Sequence, residues 1–169
     1  FKRKAVFTDE DDRLFSDNDE RAIFFAKGVV ETVKKLNWAL DIIHVHGWMA
    51  SMLPIYLKEY YKEEPLFTES KIVTSLYNGG FEGNLNEDFV NKVIFDLKEP
   101  KKVAHLQTPN YVNILKCAIE DSDAVVHGCE TIPIELSKFL ETQKVPVLEY
   151  GLENQRDAYL KFYADLLSV

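Results

Sequence analysis

Ala22, Phe25, Ala26, Val29, Val33 and Leu36 recur at spacings of three and four, the period of one face of an α-helix. This predicts a first helix that starts near Ser16-Asp-Asn-Asp-Glu20 and ends at Asn37. Ser16 reads as its cap, with Asp19 and Glu20 in the first turn, where negative charge is favoured. The pattern then changes. Ile42, Ile43 and Val45 form a short continuous apolar run within 41–46, as expected of a strand covered on both faces of a parallel sheet. A helix is predicted over 48–61, packed through Leu53, Leu57 and the Tyr60-Tyr61 pair, with Pro54 bending it or lying in its first turn.

The alternation continues to the end. Strands are predicted at 71–76, 124–127 and 146–150, and helices at about 87–97, 109–121 and 132–140. Tyr77 to Asn86 reads as a loop containing Gly79, Gly80 and Gly83. Tyr159, Phe162, Tyr163, Leu166 and Leu167 lie at offsets of 0, 3, 4, 7 and 8, a clear amphipathic helix. Strands alternating with helices predict an α/β, Rossmann-like fold: a parallel sheet with helices on both faces. No repeat or low-complexity linker divides the chain, so residues 1–169 read as one domain.

Composition narrows the class. The 169 residues carry a formal charge of −8, which argues against a nucleic-acid surface. The acidic stretch Asp9 to Glu20 reads as a solvated loop rather than a cation site. Only two cysteines occur, Cys117 and Cys129, which fits a reducing, cytoplasmic setting better than a disulfide scaffold. No apolar run approaches the roughly 18 residues of a membrane span. The opening Phe1-Lys-Arg-Lys4 lacks an initiator Met and a signal peptide. It reads as the start of a segment inside a longer protein, or of a processed one.

Three stretches carry candidate chemistry. His44 and His46 end the first strand on one side of it, because strand side chains alternate. Open α/β sheets bind ligands outside the carboxyl ends of their strands. Metal binding by the pair lacks further ligands at the usual spacing. His44 reads as a hydrogen-bonded core histidine, and His46 as a core or a ligand-facing one. By pattern, Trp48 reads as core. The loop Ser75-Leu-Tyr-Asn-Gly-Gly-Phe-Glu-Gly83 is either a plain turn or a second wall of the same crevice. It lacks the Gly-Lys-Ser/Thr of a P-loop. Cys129, in His127-Gly-Cys129, reads as an inert thiol or a nucleophile without an activating signature, and Cys117 as core.

In this order, these stretches resemble the N-terminal catalytic domain of bacterial glycogen synthases and plant starch synthases. The family pattern Asp-Ile-hydrophobic-His-x-His-Asp-Trp, with a later Pro-x-Tyr-Leu, appears as Asp41-Ile-Ile-His-Val-His-Gly-Trp48 and Leu53-Pro-Ile-Tyr-Leu57. The pattern His-Asn-Leu-Ala-Tyr-Gln-Gly appears as Tyr77-Asn-Gly-Gly-Phe-Glu-Gly83. Leu115-Lys-Cys-Ala118 and Ser122-Asp-Ala-Val-Val126 follow a third family pattern, and Ser16-Asp-Asn-Asp-Glu-Arg21 resembles the family's aromatic-x-Asp-Asn-x-x-Arg helix start. The match spans roughly residues 15–142.

The resemblance implies one of the two Rossmann-like domains of a glycosyltransferase. It implies retaining transfer of glucose from ADP-glucose to an α-1,4-glucan in glycogen biosynthesis, with no separate cofactor and no metal. His46 is the implied catalytic residue. The implied substrate-binding set is His46, Trp48, Tyr77, Asn78, Gly79, Phe81 and Glu82. The expected partners are an α-glucan, a nucleotide sugar and a second domain or subunit, with neither nucleic acid nor membrane.

This sequence departs from the family at Gly47, where the family has Asp, at Tyr77, where it has His, and at Glu82, where it has Gln. The glycine-rich first strand-turn with its phosphate-binding lysine is not found, nor is the second nucleotide-binding domain. Lys71 and Lys116 are the nearest candidate cations. The isolated chain is therefore expected not to catalyse transfer alone. The alternative expectation is a non-catalytic glucan-binding, regulatory or interaction module on the same fold.

Overall fold

The computed structural model describes all residues except 1, 2, 4, 97–99, 152 and 169, and leaves the side chains of 96 and 100–102 undescribed. Four parallel strands stand in chain order: β1 (Ile42–His46), β2 (Lys71–Leu76), β3 (Ala124–His127) and β4 (Val147–Leu148). Ile42 pairs with Lys71 and His46 with Ser75, and Val73 pairs with Ala124 and Leu76 with His127.

The helices are α1 (Asn18–Lys35), α2 (Leu53–Ile55), α3 (Phe89–Asp96), α4 (Tyr111–Glu120), α5 (Ile134–Leu140) and α6 (Gln155–Leu167). A sheet that grows in chain order through crossovers of one hand places all of those crossovers on one face. Accordingly Val45, Ile72, Leu76 and Val125 share the larger core with residues of α1, α2, α4 and α5. The chain then turns back after β4. On the opposite face, Val73, Ala124, Val126 and Leu148 pack against Leu166, Phe162, Tyr163 and Tyr159 of α6. Helices thus cover both faces, the second by α6 alone among the described residues.

Several local expectations are corrected. The cap position of α1 is Asp17, not Ser16, and it makes no side-chain cap hydrogen bond. Its carboxylate pairs instead with Arg3, 2.8 Å away. Phe25 and Leu36 are exposed, and the buried apolar positions of α1 are Ala22, Ala26 and Val30. The buried stripe is therefore narrower than the apolar one. Asn37 does end the helix, in the left-handed conformation at φ 49°.

The single helix predicted over 48–61 is instead a 3-10 turn (Trp48–Ala50), then α2, then a π-helical turn (Tyr56–Tyr60). Pro54 sits in the first turn of α2, where its missing N–H costs nothing. Leu53, Leu57 and Tyr61 are buried, but Tyr60 is exposed. The 3-10 helix over Pro100–Gln107 was not foreseen. Residue 97, the end of the predicted third helix, lies outside the described residues. In α6 four of the five stripe residues pack inward, and Leu167 is exposed.

The acidic stretch splits in two. Asp9 turns a short loop, accepting from the N–H groups of Asp11 and Arg13 at 2.9 and 3.0 Å. Asn18 and Asp19 are wholly buried. Asn18 donates to the Phe7 carbonyl and Arg21 to the Val6 carbonyl, at 2.8 and 2.6 Å. This brings Phe7 onto Trp48, with ring centroids 5.0 Å apart.

Candidate functional site

The carboxyl ends of β1, β2 and β3 bring His46, the 77–83 loop and the 128–131 turn together. His44 and His46 point to the α6 side of the sheet, ring centroids 4.0 Å apart. His44 is engaged at both nitrogens: Nδ1 lies 2.5 Å from the Tyr163 hydroxyl and Nε2 2.7 Å from the Ser75 hydroxyl. Burial pulls its pKa down to about 4, with the His46 ring adding to the effect. His44 is thus hydrogen-bonded, as its pattern suggested, but half-buried rather than in the core. His46 is exposed at the strand end, and its Nδ1 lies 2.8 Å from the Tyr77 hydroxyl. Partial burial lowers its pKa too.

Besides His46, two further residues hold Tyr77. Its carbonyl accepts from the Tyr111 hydroxyl at 2.7 Å. Its ring fills the space where Gly128 has no side chain: a β-carbon there would meet Tyr77 at 2.3 Å. The Gly128 N–H donates to the Leu76 carbonyl at 2.8 Å, continuing the β2–β3 ladder to this point. Burial raises the Tyr111 phenol to about 12, so it remains a donor.

Asn78 is anchored across the crevice mouth. Its N–H donates to Cys129 Sγ at 2.9 Å, and its side-chain amide reaches the Thr131 hydroxyl at 3.3 Å. Cys129 in turn donates to the Thr131 carbonyl at 3.1 Å. The thiol therefore works as a loop bracket. Cys117 is buried, and desolvation raises its pKa to about 12.

Gly79 adopts φ 85° and is exposed, as is Glu82. Phe81 packs edge-on against Trp48 at 4.8 Å and faces Tyr111 at 6.1 Å. Trp48 is buried and lies between Phe7 and Phe81, beneath the loop. An aromatic row Phe7–Trp48–Phe81–Tyr111 thus ties the Asn18/Arg21 helix start to the loop. Gly47 takes φ 76° and ψ 155°, a region essentially restricted to glycine.

The two candidate cations are not here. Lys71 begins β2, at the opposite end of the strands from His46, and Lys116 of α4 lies over the Phe139 ring of α5. Among the described residues no group of three or more His, Cys, Asp or Glu is placed to hold a metal ion. No helix of the described residues is long and apolar enough to cross a membrane. A cavity of about 490 Å³ opens beside Lys58, Tyr61, Phe67 and Asp123. It sits at the amino ends of the strands, the end that open α/β sheets do not use for ligands.

Pattern reading missed Tyr111 and Thr131, and assigned no role to Ser75 or Gly128 within the stretches it singled out. Gly128 directly after a strand was the one available signal.

A match to the starch synthase catalytic domain family runs over residues 1–139. The chain belongs to the starch synthase catalytic domain family. The match covers the first three strands and the whole candidate crevice, and stops before β4 and α6. The chain is 32% identical to the glycogen synthase of Clostridium perfringens over 136 residues, 80% of this chain and 27% of that protein. It is 35% identical to the glycogen synthase of Chlorobium luteolum over 128 residues, covering 73% and 25% of the two chains. A shorter match, 42% identical over 69 residues, links it to the glycogen synthase of Elusimicrobium minutum, covering 41% and 14%. The chain thus spans about a quarter of the length of the first two relatives and 14% of the third. Its matched residues carry the first three strands of a Rossmann-like parallel sheet.

Proposed function

We propose that this chain forms one wall of a sugar-nucleotide crevice in a glucan synthase that transfers glucose from ADP-glucose to the 4-hydroxyl of an α-1,4-glucan. The observation that carries this reading is His46 beside Tyr77 and Asn78 at the carboxyl ends of parallel strands. These are the positions at which the family pattern places its crevice residues. A sugar is bound by converging donors and acceptors, and His46, Asn78 and the loop backbone offer both.

In this reaction the bond from glucose C1 to the diphosphate oxygen breaks, and a bond from C1 to the acceptor oxygen forms on the same face. The proton of the acceptor hydroxyl passes to the departing diphosphate oxygen, and ADP leaves. His46 would hold the donor sugar, acting as a neutral hydrogen-bonding group. Stabilising the departing diphosphate requires cations held in a closed, dry cleft. In this reading they come from the part of the protein that corresponds to the unmatched length of the relatives, so the 169 residues alone bind but do not turn over.

The test is to titrate the 15N-labelled chain with ADP-glucose and with maltotriose, and to assay ADP release with glycogen. Shifts confined to His46, Asn78 and the 77–83 loop, without turnover, support the reading. Robust ADP release would overturn the inactivity claim, and shifts confined to the Lys58–Asp123 cavity would overturn the assigned crevice. The Gly47 and Tyr77 departures favour a second reading, a non-catalytic glucan-binding module. Maltotriose shifts without any response to ADP-glucose would select it.

A further inference from the structure

We propose that Tyr77 is a positioning residue that holds His46 in the tautomer with its proton on Nε2, so that the crevice presents an N–H donor to a ligand oxygen. The inference rests on the crevice assignment above and deepens it.

The Tyr77 hydroxyl and His46 Nδ1 are 2.8 Å apart. Of the two orientations of this bond, one has the phenol donating to the imidazole lone pair. A phenol is the stronger acid and a neutral imidazole nitrogen the stronger base, so that orientation prevails. Nδ1 then carries no proton, and the single ring proton sits on Nε2. Among the described residues no hydrogen bond reaches Nε2, which leaves that N–H for a ligand.

The geometry around the pair is rigid enough to enforce the choice. The Tyr77 ring sits in the gap left by Gly128, and the Tyr77 carbonyl is tied to Tyr111. His44 backs the His46 ring at 4.0 Å and is itself locked by Ser75 and Tyr163. His46 packs against His44 and Tyr77, and Tyr159 and Tyr163 pack against His44 behind it. Burial lowers the His44 pKa and raises those of the Tyr159 and Tyr163 phenols, so each of the three favours its neutral form. A neutral donor suits an oxygen acceptor, either a sugar hydroxyl or an oxygen of a nucleoside diphosphate.

The experiment is long-range 1H–15N spectroscopy of the histidine rings at pH 7.5, with His46 assigned by loss of its signals in His46→Asn. The expected result is an unprotonated Nδ1 and a protonated Nε2. Tyr77→Phe should average the two tautomers and raise the His46 titration midpoint by about half a pH unit, because a hydrogen bond to the neutral ring is lost. Gly128→Ala should act in the same direction by displacing the phenol, and serves where Tyr77→Phe fails to fold. A proton on Nδ1 in the unaltered chain, or a tautomer unchanged by both variants, overturns the proposal.

Glucose, ADP and ADP-glucose are then added separately. A His46 Nε2 response to glucose identifies a hydroxyl acceptor, and a response to ADP a phosphate one. No response to any of the three counts against the glucan-synthase reading, while the tautomer result stands on its own.

Discussion

The ring of Tyr111 occupies the space a side chain on Gly80 would need: a β-carbon there would lie 1.9 Å from the ring. The loop thus lies on Tyr111 while the Tyr111 hydroxyl holds the Tyr77 carbonyl from below. Gly80→Ala must push the loop off the ring. The expected cost is about 1–3 kcal/mol, the range for overpacking, measured by urea unfolding. The loop resonances from 77 to 83 should shift more than those of the sheet.

Gly47 sits at φ 76°, ψ 155°, and a β-carbon there would meet nothing within 4 Å. The penalty for a side chain is therefore conformational, not steric crowding. Gly47→Asp, which restores the family's carboxylate, should cost about 1–3 kcal/mol. Gly47→Ala should cost nearly the same. A neutral Gly47→Asp in denaturant unfolding would show that the turn adopts an ordinary backbone conformation.

Lys92 bonds Asp19 at 2.7 Å and Glu20 at 2.8 Å. The Asp19 side chain has no exposed surface, and its Oδ1 has no hydrogen-bond partner. Lys92→Met would leave a buried charge uncompensated, at a cost of roughly 3 kcal/mol. Asp19→Asn combined with Lys92→Met should recover part of that loss. Thermal and urea unfolding of the two single variants and the double variant measure the coupling.

His44 has a pKa of about 4 when folded, against 6.5 for a free imidazole. Between those values the unfolded chain binds more protons than the folded one, so stability falls as pH drops from about 6.5 through about 4. The loss should reach about 1–2 kcal/mol once solvent access to a partly exposed ring is allowed for. His46, also lowered, adds in the same direction. His44→Gln should flatten unfolding midpoints measured between pH 7 and 4.5.

Strand positions were the most legible part of this molecule. Ile42, Ile43 and Val45, and likewise Ala124 to Val126, are short apolar runs that suit a parallel sheet, although Ile42 and Ile43 on the edge strand β1 are only partly buried. Helix faces were less legible, as Phe25 and Leu36 show. An apolar side chain on a helix is buried only where a partner surface reaches it, and that is set by how far α1 lies over the 3-10 turn and α3. That His46 and Asn78 stand at the carboxyl ends of β1 and β2 was legible from motif order alone. The tyrosines and glycines that hold them were not, because Gly128 and Tyr77, or Gly80 and Tyr111, meet only after the strands pair.

The sequence by itself determined the α/β class, the four strands, the family and the two histidines at a strand end. Each follows from local periodicity or from a contiguous motif. Tertiary structure alone decided which helices share a face, the burial of Trp48 beneath the loop and the separation of Lys71 from the crevice. It also decided the contacts of Tyr77, whose ring lies against Gly128 and whose hydroxyl meets His46. Those depend on strand order and register, which bring residues 31 and 51 positions apart within hydrogen-bonding distance.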